Sequence, residues 1–419
     1  VNAQDLPTIV PLSPNAASIA KYGEVPVGHF TGIPSIGIPI HTVSSGELSL
    51  PLSLSYHAGG NRVESIASWV GLGWSLGSIP SISRSVRGLP DEKPGGYFSK
   101  YNGTYTVEAL WNLGSGQTYD LYMGDLVAGT ADSEPDIFNY SIPGESGKFF
   151  WNQDDEEFIT LPKSNTKIEP DGTGFKVTTQ AGVEYTFNII ETSRSNGLSQ
   201  GDLNNSTWKA SLITSASKKD TIELYYEYET QTSRAKPVIT KYHLLWGGYH
   251  NSPPALPGDG SVLNTNIINA RPIDSIVFNS GYVKFNRNLI EDREDLDGGY
   301  SLNNISVYNN YDQLINKHVF THRFKQGSGN GGGACTNADD PSKKWMLLDK
   351  VEQVSTTSSS DKLTHAFTYN ETYIPACRYS AGQDYWGYYN GQNSNADLTP
   401  PYYIPGVTTQ IPGADRAVN

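Results

Sequence analysis

Gly73-Trp74-Ser75-Leu76-Gly77 has the G-x-S-x-G spacing of a hydrolase nucleophile turn, in which a strained strand-to-helix corner lifts the serine oxygen toward a histidine and an acid. The residues that follow, Ile79-Pro80-Ser81-Ile82, read as extended chain. The helix such a corner needs is missing, so the segment reads as packing. His318 and His322 are four apart, a metal-pair spacing on a helix. Their segment, His318-Val319-Phe320-Thr321-His322-Arg323-Phe324, alternates as a strand does, which separates the rings by about 13 Å and rules out chelation by that pair alone.

Carboxylates gather in Glu291-Asp292-Arg293-Glu294-Asp295-Leu296-Asp297-Gly298-Gly299. Hard cations take several oxygens from glycine-ended loops, so Asp292, Asp295 and Asp297 form a weak Ca²⁺ candidate, although the full EF-hand pattern is absent. No other cofactor is expected. Asp154-Asp155-Glu156-Glu157, between Trp151 and Phe158, reads as a charged hairpin tip. Gly327-Ser328-Gly329-Asn330-Gly331-Gly332-Gly333 has the glycines of a phosphate loop but not the following Lys-Ser/Thr and helix, and reads as a connector.

The elements that must position these residues are strands. In Leu48-Ser49-Leu50-Pro51-Leu52-Ser53-Leu54-Ser55-Tyr56 every even position is large and apolar, the period-two signature of one buried face. Pro51 lacks an N–H, so this strand lies at an edge or turns its proline to an unpaired side. Hairpins are expected where Phe175–Thr179 meets Val183–Phe187, Trp208–Ile213 meets Ile222–Tyr228, Ile276–Phe278 meets Tyr282–Phe285, and Trp345–Val354 meets Leu363–Tyr369. The two tryptophan-led units form a degenerate internal repeat. Short helices are expected only at Asn15–Lys21 and Arg62–Ala67.

With 42 Gly, 25 Pro and 26 Tyr in 419 residues, the composition also favours turns and short aromatic strands over helices. The expected fold is all-β: successive antiparallel hairpins forming large sheets or sandwich-like layers, with soft boundaries giving regions 1–95, 96–200 and 201–419. A net charge of −13 disfavours nucleic acid and anionic lipid as partners. No apolar run reaches the roughly 18 residues of a transmembrane helix. Val1-Asn2-Ala3-Gln4 reads as the remnant of a signal-peptide cleavage site. Two cysteines, Cys335 and Cys377, are enough for one bridge in an oxidising compartment.

Residues 14–91 carry several motifs in order: Pro14-Asn15-Ala16-Ala17-Ser18, Lys21-Tyr22-Gly23, the alternating strand, and Ser55-Tyr56-His57-Ala58-Gly59-Gly60-Asn61-Arg62-Val63. Then come Ala67-Ser68-Trp69-Val70-Gly71-Leu72-Gly73-Trp74-Ser75-Leu76 and Ser83-Arg84-Ser85-Val86-Arg87-Gly88-Leu89-Pro90-Asp91. This resembles the N-terminal region of Rhs/YD-repeat proteins, relatives of insecticidal-toxin shell subunits and of wall-associated repeat proteins. Arg293-Glu294-Asp295, Asp384-Tyr385-Trp386-Gly387-Tyr388-Tyr389-Asn390-Gly391 and Gly413-Ala414-Asp415-Arg416 extend the likeness, which is weaker between 100 and 270.

The resemblance implies a secreted or cell-surface protein of a Gram-negative bacterium. It further implies partners in outer-membrane export machinery and in a downstream YD-repeat shell and toxin region of the same polypeptide. It implies no catalysis: Trp69, Gly71, Gly73, Trp74, Arg84, Arg87 and Trp386 would be structural motif residues. With its exported character, it also implies a Cys335–Cys377 disulfide, which closes a loop of about 43 residues and stabilises by roughly 4 kcal/mol in the chain-entropy model. The rival expectation is a self-standing adhesin or glycan-binding module using Tyr and Trp as stacking platforms.

Overall fold

The computed structural model describes residues 27–98, 117–153, 155–196, 202–234, 238–240, 260–262, 265–327, 339–356, 361–371, 374–395 and 398. Among the described residues the fold is nearly all β, with large antiparallel sheets and one α-helix, so the all-β expectation holds. In chain order, β1 (Ser35–Ser45), β2 (Leu48–His57) and β3 (Trp74–Leu76) form an N-terminal antiparallel sheet. The four period-two leucines of β2 are buried, as the alternation requires. On β1 the buried residues change parity from Ile38 and Ile40 to Val43, and a bulge between Pro39 and His41 makes that change. β3 pairs only with Leu54 to Tyr56, so the flank of β2 beside Pro51 carries no ladder.

Next come β4 (Ser81–Ser85), the helix α1 (Gln117–Ala128), β5 (Ile137–Ile142), β6 (Glu145–Asn152) and β7 (Glu157–Leu161). They are followed by β8 (Lys167–Asp171), β9 (Gly174–Thr178), β10 (Glu184–Asn196) and β11 (Asn204–Thr214). β4 pairs with β5 on one flank and β11 on the other, and β7 lies beside β8, so these eight strands close into a barrel. Its interior is aromatic. Phe138, Phe149, Phe175 and Trp208 are buried, with ring centroids 5.0 Å apart for Phe138–Phe149 and for Phe175–Trp208. Each such pair adds about 0.5–1.5 kcal/mol beyond its burial. The Trp208 indole N–H is satisfied by the Thr173 carbonyl at 2.9 Å.

The chain continues through β12 (Thr221–Tyr226), β13 (Glu229–Arg234), β14 (Val238–Thr240), β15 (Gly260–Val262), β16 (Thr265–Ala270) and β17 (Ile273–Phe278). It ends in β18 (Gly281–Arg287), β19 (Leu302–Asn309), β20 (Leu314–Gln326), β21 (Lys344–Val354) and β22 (Lys362–Ala366). β12, β17, β18, β19, β20, β21 and β22 pair in that order as an antiparallel meander. Its buried aliphatics, among them Ile276, Val283, Ile305, Val307 and Val351, join the leucines of β2 in one core, which makes a second, sandwich-like layer. All four expected hairpins are present, as β9–β10, β11–β12, β17–β18 and β21–β22.

The two bodies share long strands. β10 pairs with β9 through Glu184–Phe187 and with β16 through Thr192–Asn196, while β11 pairs with both β4 and β12. Ladder hydrogen bonds thus cross the positions near 95 and 200 where the sequence suggests soft boundaries.

The helix expected at Asn15–Lys21 lies outside the described residues. Arg62–Ala67 is not helical but a bridge, a turn and irregular chain, with the Val63 N–H donating to the distant Gly387 carbonyl. α1 was not anticipated. Met123 and Val127 are exposed on it, and none of its described side chains is buried. It ends at Gly129, at φ +70°, with the Asp125 carbonyl accepting from Thr130 N and Ala131 N.

Candidate functional site

The loop between β2 and β3 hands its backbone groups to segments far along the chain. Leu72 N donates to Met346 O at 2.8 Å, and Leu302 N donates to Trp69 O at 2.9 Å. Arg293 Nη2 donates to the Ala67 carbonyl at 2.9 Å, and His322 Nε2 donates to the Val70 carbonyl at 2.8 Å. This loop clasps β19, β20 and β21.

Its two glycines are sterically required. At Gly71, φ +142°, a Cβ would lie 3.0 Å from the Leu348 backbone nitrogen; at Gly73, φ +77°, it would lie 2.7 Å from the Tyr56 ring. Trp74 is buried between Tyr56 and Phe367, at centroid distances of 5.1 and 4.7 Å. Its indole N–H donates to Tyr369 Oη, which in turn donates to the Leu348 carbonyl. Trp69 stacks on Phe285 at 6.4 Å.

Ser75 sits in the middle of the three-residue β3, opposite Ser55, and its hydroxyl is hydrogen-bonded to Ser55 Oγ at 2.8 Å. Arg84 is inside, ion-paired to Asp136 and Glu92, both at 2.9 Å. Asp91 and Asp136 each accept the other's backbone N–H, which ties the segment after β4 to the start of β5. Burial, reinforced by the Asp136 charge, pushes the Asp91 carboxyl up to about 7, and burial raises Asp136 as well. The Arg87 side chain is exposed and pairs with Glu134 at 3.9 Å, while its backbone N–H donates to Asp136 Oδ1 at 2.8 Å. Trp386 is also solvent-facing, on a turn in which Asp384 Oδ1 accepts from Trp386 N and Tyr388 N.

The acidic loop is knitted inward. Asp295 is wholly buried and takes both Nε and Nη2 of Arg293, at 2.7 and 2.8 Å, with Arg378 beside it. Asp292 accepts from Ser301 N, Ser301 Oγ and Asn288 Nδ2. Burial would raise its carboxyl, but these bonds outweigh burial and hold it below the usual range. The Asp297 backbone exchanges two hydrogen bonds with Thr232. Among the described residues no group of three or more His, Cys, Asp or Glu is arranged to hold a metal ion. Protein donors engage the carboxylates of Asp292 and Asp295, while Asp297 is exposed.

His318 and His322 lie on β20, as the alternation implies, and turn to different neighbours. Burial, with His365 and His41 near, pushes His318 down to about 4, and burial also lowers His322. Asp155, Glu156 and Glu157 are exposed at the β6–β7 tip. Asp154, Cys335 and the glycine run beyond Gly327 lie outside the described residues, while Cys377 is wholly buried.

Sequence reasoning missed a cavity of about 350 Å³ at the waist, where β10 and β11 pass from barrel to meander. Trp69, Leu76 and Ile273 supply apolar wall, and Glu191, Lys209 and Tyr226 supply polar edge. A neighbouring cavity of about 300 Å³ also borders Trp69 and Ile273. Glu191 and Lys209 sit on strands with no motif, so no local pattern signalled them.

Fold and site define an all-β protein in which a closed barrel and a meander are joined through shared strands and one packed loop ties the N-terminal sheet to the meander. No family model matches the chain, and no curated protein matches it. No helix among the described residues is long and apolar enough to cross a membrane.

Proposed function

We propose that this chain is the non-catalytic N-terminal β module of an exported Rhs/YD-repeat-like protein, a shell, plug or surface scaffold for a downstream toxin or effector region. One observation carries the reading. Trp69 to Leu76, one of the motifs that carry the resemblance, spend their groups on holding distant strands together: Trp69 O, Val70 O and Leu72 N are all bonded to β19, β20 or β21. The apparent serine motif supports it too, since Ser75 pairs with another serine and its flanking glycines accommodate packing. A Gram-negative outer surface reached through a signal peptide, and a Cys335–Cys377 bridge, belong to the same reading.

The test is the intact mass of the natively exported protein, measured with and without reductant. The scaffold reading expects a chain several times the length of these 419 residues and a two-dalton gain on reducing this region. A mature chain ending near Asn419 would instead favour a self-standing module.

A further inference from the structure

The waist cavity is built from strands that the fold already holds rigid: β10, β11, β12, β13, β16 and β17 all contribute to its wall. Its volume of about 350 Å³ falls in the small-molecule class, about 300–1,000 Å³. Charge on the lining balances, with Lys209 and Arg271 against Glu191 and Glu229, so the space is not shaped for a net ion. Most of these groups are used. Arg271 N donates to Glu191 Oε1 at 2.9 Å, Glu229 is paired with Arg287 at 2.9 Å, and Tyr226 Oη donates to the Ala210 carbonyl at 2.8 Å.

Lys209 differs. Its side chain is about three-quarters buried, and its ammonium is paired with Glu191 Oε2 at 3.7 Å, longer than a direct N–H···O bond. An ammonium has three hydrogens to donate, so a ligand hydroxyl at this edge would meet a charged donor. Glu191 Oε2 is the matching acceptor. A donor and an acceptor thus sit side by side at the polar edge, with the Trp69 indole, Leu76 and Ile273 on the apolar wall.

We propose that this cavity binds a neutral pyranose. A sugar ring presents an apolar C–H face to an aromatic wall and hydroxyls that both donate and accept along its rim, which is the chemistry Trp69, Lys209 and Glu191 jointly offer. The site goes beyond the scaffold reading and does not depend on it.

Calorimetric titration of the full chain with methyl glucoside, N-acetylglucosamine, glucuronate and inorganic phosphate tests it, alongside K209M, E191Q and W69F. The proposal expects one-site binding of at least one neutral sugar at millimolar Kd. K209M and E191Q should each weaken it about tenfold, the loss of one charge-assisted hydrogen bond, with unchanged melting temperature. W69F, which keeps the contact with Phe285, should weaken it less. No heat from either neutral sugar, heat only from glucuronate or phosphate, or binding that survives K209M would overturn it.

Discussion

The barrel and the layered meander bury their apolar residues differently. The barrel packs rings on rings, with Phe138, Phe149, Phe158, Phe175 and Trp208 contributed by strands of the barrel itself. The meander presents aliphatic side chains and takes its second layer from another part of the chain, the leucines of β2 and the isoleucines of β1. A closed sheet completes its own core, whereas an open sheet needs a partner face and something to hold that face in place. The loop from Arg62 to Gly73 does the holding, which explains why so many of its backbone groups are committed to β19, β20 and β21.

The largest effects should separate these two bodies. Phe149→Ala in the barrel should cost about 3–5 kcal/mol in denaturant unfolding, with amide exchange rising first on β4 to β11. Asp295→Asn should cost about 3–5 kcal/mol through the clasp side, because it leaves Arg293 and Arg378 buried without their carboxylate. Exchange should then rise on β19 to β21 while the barrel stays protected; uniform loosening in both variants would show that the bodies are not separable.

Acidity gives a second distinction. Asp91, at the barrel's entry, is raised from 3.8 to about 7, so its contribution to stability is fully present below about pH 4 and is lost as pH rises through 7. His318, in the meander, is lowered from 6.5 to about 4, so its contribution is present above pH 6.5 and is lost as pH falls through 4. Between pH 4 and 6.5 the slopes oppose. Asp91→Asn should remove the first slope and His318→Gln the second, read from melting temperature against pH. An unchanged pH profile in either variant would contradict the burial assigned to that group.

A smaller effect is expected at Asp292, whose carboxylate accepts from Ser301 and Asn288. Asp292→Asn should cost about 1–2 kcal/mol by breaking that cap, and millimolar calcium should leave the melting temperature of the unaltered protein where it was.

Much of this was legible in the residues. The leucines of β2 announced a one-faced strand, and the paired segments Phe175–Thr179 with Val183–Phe187 and Ile276–Phe278 with Tyr282–Phe285 announced their hairpins, because period two is a local signal. What escaped reading was set by distant partners. Asp292 and Asp295 look like a cation loop until Ser301 and Arg378 are placed beside them. Arg62–Ala67, expected as a short helix, is instead tied through Val63 to the distant Gly387. Lys209 and Glu191 come together only because β10 and β11 pair, and no spacing along either strand encodes a cavity at their junction.

The central claim is that Trp69 to Leu76 is a packed clasp with no catalytic serine, and paired unfolding of Trp74→Ala and Ser75→Ala tests it most directly. Trp74→Ala should lower stability by about 3–5 kcal/mol, through loss of the ring and of its bond to Tyr369, while Ser75→Ala should stay within about 0.5 kcal/mol of the parent. Near-equal stability of both variants, with Ser75→Ala alone abolishing a hydrolytic activity of the protein, would contradict the account.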